Sequence, residues 1–266
     1  MRLLWLLTLC LPLLGWTQAT PETGNAYKQV LEKVQPNIVT VRVVIKVEFK
    51  SEDETETEES KFTMQGAVLT SDGLVMASGV LLSSESFKQL IGAEDDEIKI
   101  TITPQSFKVI FGSETKEYDA KLVATDSQLG LAFLKITNLE GRAITPIVFS
   151  NEELFVGKEV LTVSRLPKGF DYAPYFCTGR IISEISKPRK AYLMEGNISE
   201  LGLPVYNIKG EAVGVLVILQ HGLKDEEVDF GFRSNFGNDS RASFLLPASV
   251  LRPLIEQAIQ RAASLQ

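Results

Sequence analysis

The chain has 266 residues, and its 27 Lys and Arg against 34 Asp and Glu give a formal net charge of −7. Apolar residues make up 44% and charged residues 23%, which is typical of a folded globular protein and not of a disordered one. The acidic balance without a basic tract argues against nucleic acid and anionic membranes as partners. With a single His and two Cys, a zinc site of several His and Cys ligands cannot be assembled. We therefore expect no metal and no cofactor.

The first segment predicts export. An apolar run from Leu3 to Leu14 is followed by small residues at 17 and 19, the two positions that a signal peptidase reads. A membrane anchor is the alternative, but the run is shorter than the ~20 residues that span hydrocarbon. We expect a signal peptide over residues 1–19 and a mature chain without an integral membrane segment. The mature chain keeps one thiol, Cys177, and so no internal disulfide, which fits a periplasmic or extracellular protein of a bacterial envelope.

The hydrophobic pattern of the mature chain is dominated by strands. Residues 26–34 have helical spacing, whereas apolar and polar residues alternate from Ile38 to Phe49, which is typical of a half-buried strand. Residues 52–59 contain six acids in eight positions, and we interpret this run as a solvated loop. Short strand-like segments separated by Gly and Pro turns follow, at 66–70, 74–77, 97–103, 107–111, 118–124, 131–136, 159–164, 176–185, 192–195, 203–206, 212–219 and 243–246.

Many short strands with few helices predict an all-β protein. The strands fall into two blocks, so we expect two six-stranded barrels, at about residues 36–140 and 155–247, within one domain of residues 20–266. Residues 248–264 carry a single apolar stripe with helical spacing and predict a C-terminal helix.

Several stretches resemble the trypsin-like serine proteases, in particular the HtrA (Do-like) branch. Gly66–Ser78 resembles the strand, turn and strand that lead to the catalytic His of that family. Residues 121–136 resemble the stretch around its catalytic Asp. Thr178–Ser183 and Gly202–Gly214 resemble the segments before and after its nucleophile. The resemblance implies the double barrel of trypsin, with a short N-terminal and a C-terminal helix.

The resemblance also places the three members of the catalytic triad, and this chain departs from the family at all of them. Val80 stands at the position of the His, Gly130 at that of the Asp and Leu201 at that of the Ser. A Ser hydroxyl attacks a carbonyl only when a base takes its proton, and the base needs a group that orients it. Losing a triad removes about six orders of magnitude in turnover. We therefore expect a catalytically inactive pseudoprotease.

A displaced catalytic site is the alternative that would preserve activity. Ser199 lies two residues before Leu201, and its base would have to be His221, the single His of the chain. His221 follows the strand 212–219 on the second barrel, whereas the family takes its base from the first. An exposed loop His without a catalytic role is the simpler interpretation.

A cleft without a triad can still bind a peptide. Substrates of the family add to a strand edge by β-augmentation, and the resemblance places Gly214, Val215, Leu216 and Val217 along that groove. Apolar residues at 80 and 201 either fill the cleft as core or form a contact site for a partner side chain, and both alternatives stay open. We expect an unidentified protein or peptide partner. A homo-oligomer, or a structural component with a filled cleft, is also compatible with the sequence.

Two segments have no counterpart in the resemblance. They are the acidic run 52–59 and an insertion at 83–96, and each is either a lineage-specific contact surface or a solvated excursion. The chain ends after the predicted C-terminal helix, so we expect no PDZ domain.

Overall fold

The computed structural model describes residues 21–51, 54–91, 99–187, 189–218 and 243–265. The predicted signal peptide, residues 1–19, lies outside these ranges. The helices are α1 (Pro21–Val34), α2 (Ser84–Ile91) and α3 (Ala248–Ala263). The strands are β1 (Ile38–Lys50), β2 (Thr55–Val68), β3 (Leu74–Ser78), β4 (Lys99–Phe111), β5 (Glu117–Asp126), β6 (Leu131–Ile136), β7 (Glu159–Arg165), β8 (Pro174–Ile185), β9 (Ala191–Gly196), β10 (Pro204–Tyr206), β11 (Ala212–Ile218) and β12 (Ser243–Pro247).

These strands form two closed barrels. The first has the order β1-β2-β3-β6-β5-β4 and the second the order β10-β11-β12-β9-β8-β7. The all-β double barrel predicted from the sequence is therefore confirmed. The first barrel closes around alternate residues of β1, from Val39 to Val47, whose side chains are at most 3% exposed. Alternation places them on one face because successive side chains of a strand point to opposite sides.

The acidic run is a loop over only part of its length, so its interpretation as a loop over 52–59 is wrong from Thr55 onward. β2 begins at Thr55 and pairs with β1 without a shift of register, from Lys50↔Thr55 to Ile38↔Ala67. Strand formation depends on the neighbouring strand as much as on the segment itself. β1 continues its apolar alternation to Phe49 and so provides a partner for the acidic residues. Residues 52–53 lie outside the described ranges.

β4 joins two segments that the sequence pattern separates. The predicted strands 97–103 and 107–111 form one strand from Lys99 to Phe111. The register with β1 shifts between Val44 and Ile45, opposite Ser106 and Pro104. Pro lacks the N–H that a regular ladder needs, and it is tolerated at a β-bulge. Pro104 therefore marks an irregularity and does not end the strand.

The helices pack on the barrels. α1 begins earlier than predicted, at Pro21, and buries Val30 and Val34 in a cluster that also contains Leu161 of the second barrel. α2 occupies Ser84–Ile91 of the predicted insertion, and its Phe87 packs against the core of the first barrel. Residues 92–96 of the insertion lie outside the described ranges. In the part of the chain that the structure describes, no helix is both long and apolar enough to cross a membrane.

Candidate functional site

Val80 and Gly130 are direct neighbours at one end of the first barrel. Val80 begins a 3₁₀ turn just after β3, and Gly130 directly precedes β6. The N–H of Gly79 donates a hydrogen bond to the Gly130 carbonyl at 2.7 Å. A Cβ added to Gly130 would lie 2.9 Å from Cγ2 of Val80, and the φ of Gly130 is +62°. The Val80 side chain, which is 8% exposed, therefore fills the space in front of Gly130.

The turn that contains Leu201 lies against the same end of the first barrel. Gly202, with a φ of +78°, is so close to the last residues of β3 that an added Cβ would lie 2.5 Å from the Ala77 carbonyl carbon. Only a residue without a side chain permits this approach. Leu201 itself is half-buried and packs against the core of the second barrel. The segments at 77–80, 130 and 201–202 thus meet where the two barrels join.

Tyr175 and Cys177, two ionisable groups near Glu200, hold their protons tightly. The Tyr175 hydroxyl donates a hydrogen bond to Oε1 of Glu200 at 2.5 Å. Burial, followed by the hydrogen bond to Glu200, raises the pKa of Tyr175 to about 12. Burial, followed by the charge of Glu200, also raises the pKa of the Cys177 thiol, which is half-buried and forms no disulfide. At neutral pH both groups are therefore protonated, and neither can serve as a base or as a thiolate nucleophile.

The alternative pair of Ser199 and His221 is only partly visible. Ser199 is exposed on the loop between β9 and β10. His221 lies outside the described residues, so the pair stays a prediction.

The strand predicted to bind a peptide is already paired on both sides over most of its length. The N–H of Leu216 donates to the Leu203 carbonyl at 3.2 Å, and the Leu216 carbonyl accepts from the N–H of Gly202 at 2.8 Å. On the same side β10 pairs Val205 with Gly214 and Pro204 with Val215, and on the other side β12 pairs from Gly214↔Pro247 to Ile218↔Ser243.

The prediction of an open edge at Gly214, Val215 and Leu216 therefore needs correction, because β10 and the turn before it occupy that edge. Backbone groups alternate in direction along a strand, so Val217 faces β12 and the next residue that faces the β10 side is Ile218. Ile218 is the last residue of β11, and residues 219–242 lie outside the described ranges. The sequence pattern does not predict this pairing, because the turn at Gly202 brings the chain back onto β11. The only local indication of that turn in the sequence is Gly202 itself.

The described residues contain no group of three or more His, Cys, Asp or Glu side chains placed to hold a metal ion.

Two barrels joined in this way are the architecture of the trypsin-like peptidases, and the comparisons with known proteins agree. The sequence profile of the trypsin-like peptidase domain matches residues 64–215, and the chain belongs to this family. The active form of the Rv3671c protease from M. tuberculosis superposes with a TM-score of 0.53 at 16% identity, over 86% of this chain and 84% of that protein. A likeness at this identity shows the fold alone.

Relatives in sequence place the chain in the predicted HtrA branch. A probable periplasmic serine endoprotease, DegP-like, from Pseudomonas putida strain GB-1 is 31% identical over 153 residues, which cover 53% of this chain and 28% of the relative. A DegP-like relative from Ectopseudomonas mendocina strain ymp is 28% identical over 152 residues, with the same coverage. The match therefore spans little more than a quarter of these relatives' length.

Proposed function

We propose that this chain is a catalytically inactive HtrA-like protein of the cell envelope that binds a peptide or protein partner. One observation carries the proposal: the residues at the three positions where the family has His, Asp and Ser are Val80, Gly130 and Leu201, and their segments meet at the junction of the barrels. The envelope location rests on the predicted signal peptide and on the periplasmic relatives in the DegP-like group.

The geometry around Val80 and Gly130 supports the loss of catalysis. A general base must lie within hydrogen-bond reach of the nucleophile, and Val80 offers only methyl groups there. A carboxylate at position 130 would point at those methyl groups, and a buried charge without a partner is costly. Glycine at 130 therefore suits a protein that has no His at 80. The three residue types are consistent with one another.

Val80 and Leu201 differ in how much of each side chain is exposed. Val80 is 8% exposed, which favours a packed contact over a deep pocket on the first barrel. Leu201 is half-buried and leaves part of an apolar side chain at the surface of the second barrel. We infer that a partner contacts Leu201 with an apolar side chain and uses the backbone of β11 only beyond Leu216. A structural component with a wholly filled cleft is the second candidate, favoured by the burial of Val80.

Binding of unfolded casein, followed by fluorescence anisotropy and by gel, tests this proposal. We expect the purified chain to bind casein without cleaving it. Leu201→Asp should weaken binding about tenfold, because a central apolar contact contributes more than about 1 kcal/mol and the carboxylate would have to be desolvated. Leu201→Met is the matched control and should bind like the unaltered chain. Equal affinity for all three proteins would contradict the proposal, as would casein fragments.

A further inference from the structure

The first barrel carries a long strand edge that no described residue covers. β2 pairs with β1 from Thr55 to Ala67, but with β3 only from Gly66 to Val68. Within the described ranges, no strand pairs with residues 55–65 on the side opposite β1. Residues 55–59 are all exposed. We call residues 55–65 the free β2 edge, and at about 3.4 Å per residue it is roughly 35 Å long.

The direction of each backbone group along this edge follows from the pairing. The N–H of Leu69 donates to the Leu74 carbonyl at 2.7 Å, so odd-numbered residues of β2 face the β3 side. The carbonyl of Val68 accepts from the N–H of Ile147 at 3.2 Å on the opposite side, as the alternation requires. The register with β1 contains no shift. The odd-numbered residues therefore direct their N–H and C=O groups to the free β2 edge, and they are Thr55, Thr57, Glu59, Lys61, Thr63 and Gln65.

The outer edge of β4 shows how this protein covers a comparable strand. β4 pairs with β5 only over residues 107–110, and its earlier half lies beyond that ladder. There the N–H of Ile102 donates to Oγ of Ser84 at 3.0 Å, and Pro104 lies at the bulge. A side-chain cap, a proline and a bulge each discourage the addition of another strand. The free β2 edge has no proline and no bulge. Its charged side chains are therefore the feature that distinguishes one added strand from another.

Those charges are mostly negative, and their placement is ordered. Glu58 is paired with Val47 and Glu56 with Phe49, so both carboxylates lie on the face of the sheet that is otherwise apolar. Glu59 instead pairs with Lys61 at 2.9 Å on the other face. Residues 54–65 contain four acids and one base. Two copies of this edge would repel each other, whereas a basic strand would be attracted.

We propose that the free β2 edge binds an extended basic segment of a partner polypeptide by strand addition. The partner's backbone bonds to the odd-numbered residues, and Lys or Arg at alternate positions lies beside Glu56 and Glu58. Opposite charges on neighbouring strands attract, and the apolar stem of Lys or Arg can cover the rim of the apolar face. The site lies on the first barrel, and it does not depend on the function proposed for the cleft.

A fluorescein-labelled heptapeptide of alternating Lys and Thr provides the test, with anisotropy measured at low ionic strength. The same peptide with Glu in place of Lys is the charge control and should not bind. Glu56→Gln with Glu58→Gln should weaken binding of the Lys peptide about three- to tenfold, since two cross-strand charge pairs are lost. Thr57→Pro removes an N–H that faces the free β2 edge and should abolish binding. Thr57→Val is its matched control, because it keeps that N–H and a β-branched side chain.

The outcomes separate strand addition from simple charge attraction. Circular dichroism and thermal unfolding check the fold of Thr57→Pro. A Lys peptide methylated at alternate backbone nitrogens tests the same bonds on the unaltered chain and should not bind. Binding that survives both Thr57→Pro and methylation of the peptide backbone would overturn the proposal. Failure of the Lys peptide to bind the unaltered chain would also overturn it, as would a dimer of the chain that Thr57→Pro dissociates. Leu201→Asp should leave this binding unchanged, so failure here is distinct from failure of the cleft proposal.

Discussion

Replacement of Gly130 by Ala tests the contact on which the description of the site depends. Gly130 has a φ of +62°, and a left-handed conformation costs an L-residue about 1–2 kcal/mol. The new methyl group would also lie 2.9 Å from Cγ2 of Val80, closer than packed carbon atoms approach. Overpacking of this kind costs about 1–3 kcal/mol. We therefore expect Gly130→Ala to lower the free energy of unfolding by about 2–5 kcal/mol.

A double-mutant cycle with Val80→Ala isolates the contact, with urea unfolding followed by far-ultraviolet circular dichroism. Val80→Ala alone should cost about 1.5–3 kcal/mol, because it removes two buried methyl groups. In the double variant the methyl group at 130 no longer meets Cγ2, so the combined loss should be smaller than additive by about 1 kcal/mol or more. Losses that add within about 0.5 kcal/mol would refute the contact, since independent sites behave in that way.

Three further predictions concern Arg165, Cys177 and Tyr175. Arg165 is buried and donates to the carbonyls of Ile38, Tyr172 and Gln35 at 2.7, 3.1 and 2.6 Å, and its burial lowers the guanidinium pKa. Arg165→Met leaves these acceptors unpaired and should cost about 2–4 kcal/mol in urea unfolding; a variant as stable as the unaltered chain would contradict this. Burial first, and Glu200 second, raise the pKa of Cys177, so a thiol reagent at pH 8 should react more slowly than with the urea-unfolded chain. Glu200→Gln should speed the reaction of Cys177, because it removes a charge that raises the thiol pKa. Equal reaction rates in the folded and unfolded chains would contradict this prediction. The pKa of Tyr175 is raised from 10.0 to about 12, so its contribution to stability is complete below pH 10 and is lost as the pH rises towards 12. Ultraviolet difference titration should show that Tyr175→Phe removes a late-ionising tyrosine, and loss of one that ionises near pH 10 would contradict the assignment.

Much of the fold can be predicted from local patterns, and the exceptions arise from contacts between distant segments. The alternation from Ile38 to Phe49 identifies β1 because its inner face is buried along nearly its whole length. The same pattern cannot identify β2, whose acidic half becomes a strand only because β1 lies beside it. The sequence pattern places Pro104 in a gap between two strands, because its bulge is defined by the register with β1 and not by its own neighbours.

The candidate site shows the same division. Only the resemblance to a family relates positions 80, 130 and 201, because no periodicity in the sequence connects them. The contact of the Val80 side chain with Gly130 depends on how the chain folds after β3 and before β6, and the sequence pattern does not predict it. The pairing of Leu216 with Gly202 and Leu203 likewise depends on a turn whose direction the sequence does not specify, and this is why the predicted peptide edge began too early.

The most direct test of the central proposal is the intact mass of the purified chain after treatment with a fluorophosphonate. Such a reagent modifies a serine only when a base activates its hydroxyl, and Val80 and Gly130, at the positions of the family's His and Asp, offer no side-chain proton acceptor. We predict an unchanged mass. An added phosphonyl group that maps to Ser199 and disappears in Ser199→Ala would contradict the account, because it would reveal an activated nucleophile two residues from Leu201.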